Sequence, residues 1–270
     1  MITLVATLSP LSAVVLAAFL FILGTVFGSY MDVVRSRQSW RHSLTGRSQC
    51  LSCSKTLSWQ QLIPVFSYLT SQGRCAFCSE QIPRAHLFAE IATGILFALA
   101  VFGTASPWVM GAVLLSAIFV IPIITADIEA MEVPEHLSVP FSFITLGFAA
   151  ILSLHIGSGA PILSGLVFAA PFALLWWGSG GRAMGLGDAK VAISLGFLLA
   201  DPILAISAFF LSFWIGTLGI AAVALQRVLR GQPHGISRGL HVPFVPSIAI
   251  AFFFTLVTDF SLFSGLSGIL

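Results

Sequence analysis

Eight stretches of the chain are apolar enough to lie in lipid: residues 9–31, 86–104, 107–126, 136–156, 161–178, 187–201, 203–225 and 244–266. Crossing the bilayer core takes about 20 such residues. Lipid offers no hydrogen-bond partners, so these segments must satisfy their own backbones as helices. The expected fold class is an all-α polytopic membrane protein with about eight transmembrane helices. Composition excludes a single soluble domain: of 270 residues 57% are hydrophobic and 8% charged, and mean hydropathy is +1.02. The stretch 187–201 is the shortest. It follows Gly178-Ser179-Gly180-Gly181, a break that needs backbone freedom.

The basic residues orient the chain. The segment before residue 10 has no Lys or Arg, and the first apolar stretch outlasts a signal h-region, so it reads as a retained helix with its N-terminus outside. The inner connections are then 32–85, 127–135, 179–190 and 226–243. All 12 Lys and Arg fall inside: Arg35, Arg37, Arg41, Arg47, Lys55, Arg74, Arg84, Arg182, Lys190, Arg227, Arg230 and Arg238. Basic loops stay cytoplasmic. The expected location is a membrane with these basic connections on its cytoplasmic side, and no nucleic-acid partner is expected; the net charge of +2 adds nothing further, because cations of this kind also face anionic lipid head groups.

The one sizeable polar segment, 32–85, holds all four cysteines as Cys50-x-x-Cys53 and, 21 residues on, Cys75-x-x-Cys78. Two such knuckles match a tetrahedral structural site for zinc or a related soft metal. A disulfide pair is the competing reading, disfavoured in reducing cytosol. About 50 residues bury little core, and metal ligation would add folding energy. The expected domains are a first helix (1–31), a cytoplasmic zinc-binding insertion (32–85) and a membrane domain (86–270).

Two acids sit at the edges of apolar runs. Asp127 ends 111–126, and Asp188 follows Gly185-Leu186-Gly187 and opens 189–200. An ionisable group at such a place marks a functional site. Both fall on the cytoplasmic side. Paired carboxylates sharing a proton supply the base and the acid that peptide hydrolysis needs. Asp188 as a helix N-cap is the plainer alternative, but it leaves Gly185 and Gly187 without a task. Glycines there would let an extended substrate approach. Glu132 and Glu135 read as solvated. Lys190 either tunes the pair or reaches for the interface.

In order and spacing these pieces resemble the bacterial type IV prepilin peptidases, membrane aspartic proteases of the GxGD type. The resemblance rests on Gly28-Ser29-Tyr30 with Val33-Val34, the four cysteines, Ile63-Pro64-Val65-Phe66-Ser67-Tyr68, Gly73-Arg74-Cys75, and Pro83-Arg84 with Glu90 and Gly94. It continues through Asp127 with Pro134, Met184-Gly185-Leu186-Gly187-Asp188-Ala189-Lys190, and Val242-Pro243-Phe244-Val245-Pro246. It implies an endopeptidase that removes the short basic leader of prepilins or pseudopilins, with Asp127 and Asp188 as catalytic dyad. It also implies a second activity, methylation of the new N-terminus by S-adenosylmethionine, and possible contact with pilus or secretion machinery. The chain departs from the family pattern at Asp32, where asparagine is common, and over Arg35–Trp40; Glu129 and Glu135 replace frequent aspartates.

Two other classes fit parts of the pattern. A non-enzymatic assembly factor would use the zinc segment for docking and the acids as interhelical contacts. An ion-coupled transporter would place acids near the midplane and show an internal repeat; neither is visible. His42, His86, His136, His155, His234 and His241 lack metal-ligand spacing and read as interfacial, as do Trp176 and Trp177.

Overall fold

The computed structural model describes residues 9–37, 40–41, 46–50, 52–103, 106–229 and 242–263. Gln38, Ser39, His42, Arg230, His234, Arg238 and His241 lie outside the described residues, as does the side chain of Arg227. Among the described residues there are helices and no strand, only two isolated bridges, Gln49 to Thr56 and Arg74 to Gln81.

The helices are α1 (Pro10–Arg37), a 3-10 turn (Trp59–Leu62), α2 (Phe66–Thr70), α3 (Arg84–Gly103), α4 (Pro107–Ala130), α5 (Glu135–Ile156), α6 (Ala160–Ser179), α7 (Leu186–Leu199), α8 (Pro202–Leu229) and α9 (Val245–Thr258). Each expected apolar stretch is helical over most of its described residues. Six are long and apolar enough to cross a membrane: α1, α3, α4, α5, α6 and α8. The stretches 187–201 and 244–266 yield helices of 14 residues each. At 1.5 Å per residue these are about 21 Å long, short of a bilayer core of about 30 Å.

The chain divides into two compact units, Met1–Thr125 and Ala126–Leu270. In the first, α1 lies against α3 along a seam of small residues. A Cβ on Gly28 would sit 2.6 Å from the Ala89 carbonyl oxygen, and one on Gly94 would sit 2.8 Å from Thr25 Cγ2. Such positions let membrane helices approach backbone to backbone. The seam brings Asp32, one turn beyond Gly28, alongside the start of α3.

In the second unit α7 is the central element, packed against α5, α6, α8 and α9. Nine of its residues are buried, from Ala189 to Leu199. Its polar groups are spent inside: Ser142 and Ser194 hydroxyls bond at 2.7 Å, and Ser164 donates to the Gly196 carbonyl at 2.7 Å. A helix wrapped by its own unit need not reach both faces of a membrane. The glycine break after α6 has a conformational cause, since Gly180 and Gly181 both take left-handed φ, +60° and +77°.

Candidate active site

Asp127 sits in the last turn of α4 and is 6% exposed. Its Oδ2 accepts the Val245 amide at 3.0 Å. That amide is aimed by Phe244, whose ring lies 5.2 Å from Phe213 and 6.2 Å from Phe172. Gly216 makes room, because a Cβ there would meet Phe244 Cε2 at 2.6 Å. An aromatic nest on α6 and α8 thus sets a backbone donor on an acid more than a hundred residues away.

Asp188 is the third residue of α7. The residue before the helix is Gly185, with no side-chain cap, so Asp188 is not the N-cap. Its carboxylate accepts the Gly185 amide at the helix start, where free N–H groups favour negative charge. Asp127 lies close enough for its charge to act on Asp188. Both line one cavity of about 960 Å³, together with Glu132, Lys190 and Phe244.

The two glycines differ. A Cβ on Gly187 would stand 2.6 Å from Val133 Cβ, so the close approach it permits is made by this chain's own segment after Asp127. Gly187 thereby ties the two acid-bearing segments together. A Cβ on Gly185 would meet nothing nearer than Asp188 Oδ2 at 3.6 Å, leaving that side open. Lys190 neither contacts the acids nor stands alone: its Nζ pairs with exposed Glu135 at 2.6 Å.

The four cysteines converge. Their sulfurs all lie within 4.8 Å of one another, and Cys50 and Cys78 sulfurs are 3.8 Å apart, too far for a disulfide. A tetrahedron with metal–sulfur bonds of about 2.3 Å has edges of about 3.8 Å. The cysteines are therefore positioned to bind a metal. Each knuckle is folded alike. The Ser54 and Ser79 amides donate to the Cys50 and Cys75 carbonyls, both at 2.9 Å, and both serines take left-handed φ. The Cys50 and Cys75 amides donate to the Lys55 and Glu80 carbonyls at 3.0 and 2.8 Å. Amides of Cys53 and Ser52 favour the Cys50 thiolate and push it down to about 6. The Glu80 amide favours the Cys78 thiolate, but burial and the other three sulfurs outweigh it and push Cys78 up to about 12. A metal bound here would displace the protons that the thiols retain.

Residues 22–104 match the bacterial peptidase A24 N-terminal domain, and residues 114–221 match the type IV leader peptidase family. A relative from Bacillus subtilis (strain 168), named prepilin leader peptidase/N-methyltransferase, is 32% identical over 239 residues, covering 86% of this chain and 90% of the relative. The chain belongs to the type IV leader peptidase family. A relative of the same name from Neisseria gonorrhoeae is 28% identical over 211 residues, covering 76% of this chain and 68% of the relative. No solved structure matches.

One family match spans the four cysteines and the other both aspartates. Beyond the residues read from the sequence, the structure of this leader peptidase relative adds three. Val245 contributes a backbone amide, which carries no residue signature. Val133 meets Gly187. His86 meets Asp32: its Nδ1 pairs with Asp32 Oδ2, and Arg35 Nε pairs with Asp32 Oδ1 at 2.7 Å. Asp32 and Glu90 do carry a signal in the sequence, as acids within apolar helices.

Proposed function

We propose that this chain is a membrane aspartic endopeptidase that removes the leader from type IV prepilins or pseudopilins, with Asp127 and Asp188 as its dyad. The observation that carries the reading is the placement of both carboxylates in one cavity, near enough to interact, on a chain of this family. One carboxylate takes a proton from water as it attacks the scissile carbonyl, and the other gives a proton to the departing amine. The two titrate as a pair. The Val245 amide holds Asp127 in place, and the open side at Gly185 admits the extended peptide.

The chain also methylates the new N-terminus. S-adenosylmethionine supplies the methyl group. Zinc is the ion that suits four thiolates at tetrahedral spacing, and it holds the 46–83 segment without taking part in chemistry. In this reading residues 1–31 are the first membrane segment, 32–85 the metal-binding insertion, into which α1 continues as far as Arg37, and 86–270 the peptidase domain. The N-terminus is outside, and the insertion and both aspartates face the cytoplasm, where a prepilin leader lies.

Asp127→Asn and Asp188→Asn test the dyad. Each removes one member of the base–acid pair, and cleavage should fall by at least about 10³-fold, as when one of a set of residues acting together is lost. Purified variants are incubated with a prepilin and the leader followed on a gel. Near-normal cleavage by either variant sinks the mechanism, and intact insertion shows that the loss is not misfolding.

A further inference from the structure

The first unit holds a second cavity, of about 550 Å³, within the range of small-ligand sites. It lies between α1, α3 and the metal-binding segment, and the peptidase chemistry does not use it. Among the ionisable groups that line it, Asp32, His86 and Glu90 come from α1 and α3. Asp32 is 1% exposed and Glu90 is 9% exposed, both within helices long enough to cross a membrane. Buried charges on such helices are costly and mark function. His86, on the first turn of α3, turns its Nδ1 to Asp32. Among the described residues its Nε2 makes no hydrogen bond, and His86 lines the cavity beside Glu90 and Ser29. Glu90 is fixed from the other side, where its Oε2 accepts the Val65 amide at 2.7 Å.

An imidazole held by a buried carboxylate through one nitrogen, on the wall of a cavity and with its other nitrogen unbonded among the described residues, is the arrangement of a general base. The carboxylate fixes the tautomer and stabilises the imidazolium that forms. Arg35 holds the second oxygen of Asp32, so the carboxylate cannot swing away. An ion pair that served packing alone would need neither the cavity nor a histidine presented to it.

The methyltransferase reading names a reaction that requires a base. A peptide α-amine has a pKa near about 8 and is mostly an ammonium at neutral pH. An ammonium has no lone pair to attack a methyl group. We propose that the cavity between α1 and α3 is where the new N-terminus is methylated, and that His86 is the base that deprotonates it. Glu90 attracts the ammonium group. His86 Nε2 takes its proton, and the freed nitrogen attacks the methyl carbon of the sulfonium donor. The C–N bond forms as the S–C bond breaks, the electron pair stays on sulfur, and a neutral thioether leaves. Asp32 is the positioning residue for His86.

This inference rests on the methyltransferase reading, and its test separates the two. Wild type and His86→Ala are given labelled S-adenosylmethionine and a peptide with a free N-terminal phenylalanine. General-base loss should slow transfer by about 10²–10⁴-fold. Added imidazole should restore at least about tenfold of it, which a structural role for His86 would not allow. The acid limb of the wild-type rate reflects His86 in the presence of Asp32 and Arg35 from α1 and Glu90 from α3, with Arg37, Arg74, Glu80, Tyr68 and the metal-site cysteines Cys50 and Cys75 also lining the cavity. In the variant that limb should move to that of the substrate ammonium, near about 8. Asp32→Asn should slow transfer and displace the same limb. Metal content reports folding of the unit; if His86→Ala loses it, His86→Gln is read in its place. No transfer by wild type overturns the methyltransferase reading and the base assignment with it. Transfer by the His86 variant within about threefold of wild type, with an unaltered pH profile, overturns the base assignment alone.

Discussion

Gly187→Ala should damage cleavage more than its size suggests. The added carbon would stand 2.6 Å from Val133 Cβ and 2.7 Å from Val133 Cγ2. Carbon atoms rest about 3.8 Å apart, so the two segments must separate by about 1.2 Å or distort elsewhere. Overpacking of this kind costs about 1–3 kcal/mol of stability. Neither segment can move without its acid: Asp188 follows Gly187 directly, and Val133 lies six residues after Asp127. Reacting groups displaced by about 1 Å lose about 10²-fold in rate. The variant should therefore insert and bind metal normally yet cleave about 10²-fold more slowly, with the loss in kcat. Val133→Gly in the same chain removes the opposing carbons and should recover most of it. Gly185→Ala is the control, because its Cβ meets nothing within 3.6 Å and its φ of −77° suits any residue. Any cost there should appear in KM, where substrate approach is felt. Initial rates on a prepilin peptide in nanodiscs supply the comparison. If Gly187→Ala cleaves within about threefold of wild type, or Val133→Gly fails to restore it, the acids are not spaced by this contact.

The purified chain should carry about one zinc per molecule; Cys75→Ser should lower that and loosen the segment around it, while cleavage falls less than in the aspartate variants. Elemental analysis finding no metal beside four titratable thiols refutes this. Metal uptake by the stripped chain should release protons and weaken as pH falls through about 6, where the thiolate of Cys50 is lost; an indicator titration measures both. Lys190→Ala should leave cleavage within about threefold, since its partner Glu135 is an exposed carboxylate and such pairs contribute little; a hundredfold loss would place Lys190 in the chemistry. Asp127→Asn should still methylate a pre-cleaved pilin, because the proposed transfer site lies in the other unit; mass spectrometry of the product decides it.

Periodicity and composition determined most of the architecture. Apolar runs in lipid leave the backbone no choice but helix, so each run could be read as one, and Cys50-x-x-Cys53 with Cys75-x-x-Cys78 named its own geometry because short spacing forces neighbouring sulfurs together. Asp127 and Asp188 were legible for a related reason: a charge at the edge of an apolar run is costly enough to need a purpose. What hydropathy could not decide was where each helix ends. Leu186–Leu199 and Val245–Thr258 are as apolar as their neighbours but stop at 14 residues, where Ala200 and Asp259 turn the backbone left-handed. Contacts between distant residues were likewise beyond the sequence. Val245 reaches Asp127 through a backbone amide that every residue but proline carries, and Gly187 is needed because of Val133, an ordinary side chain. Asp32 and His86 are 54 positions apart, and only the glycine seam between α1 and α3 joins them. Local chemistry is written in residue types at short spacing. Long-range chemistry depends on which surfaces come together, and that is settled by close packing that single residues do not announce.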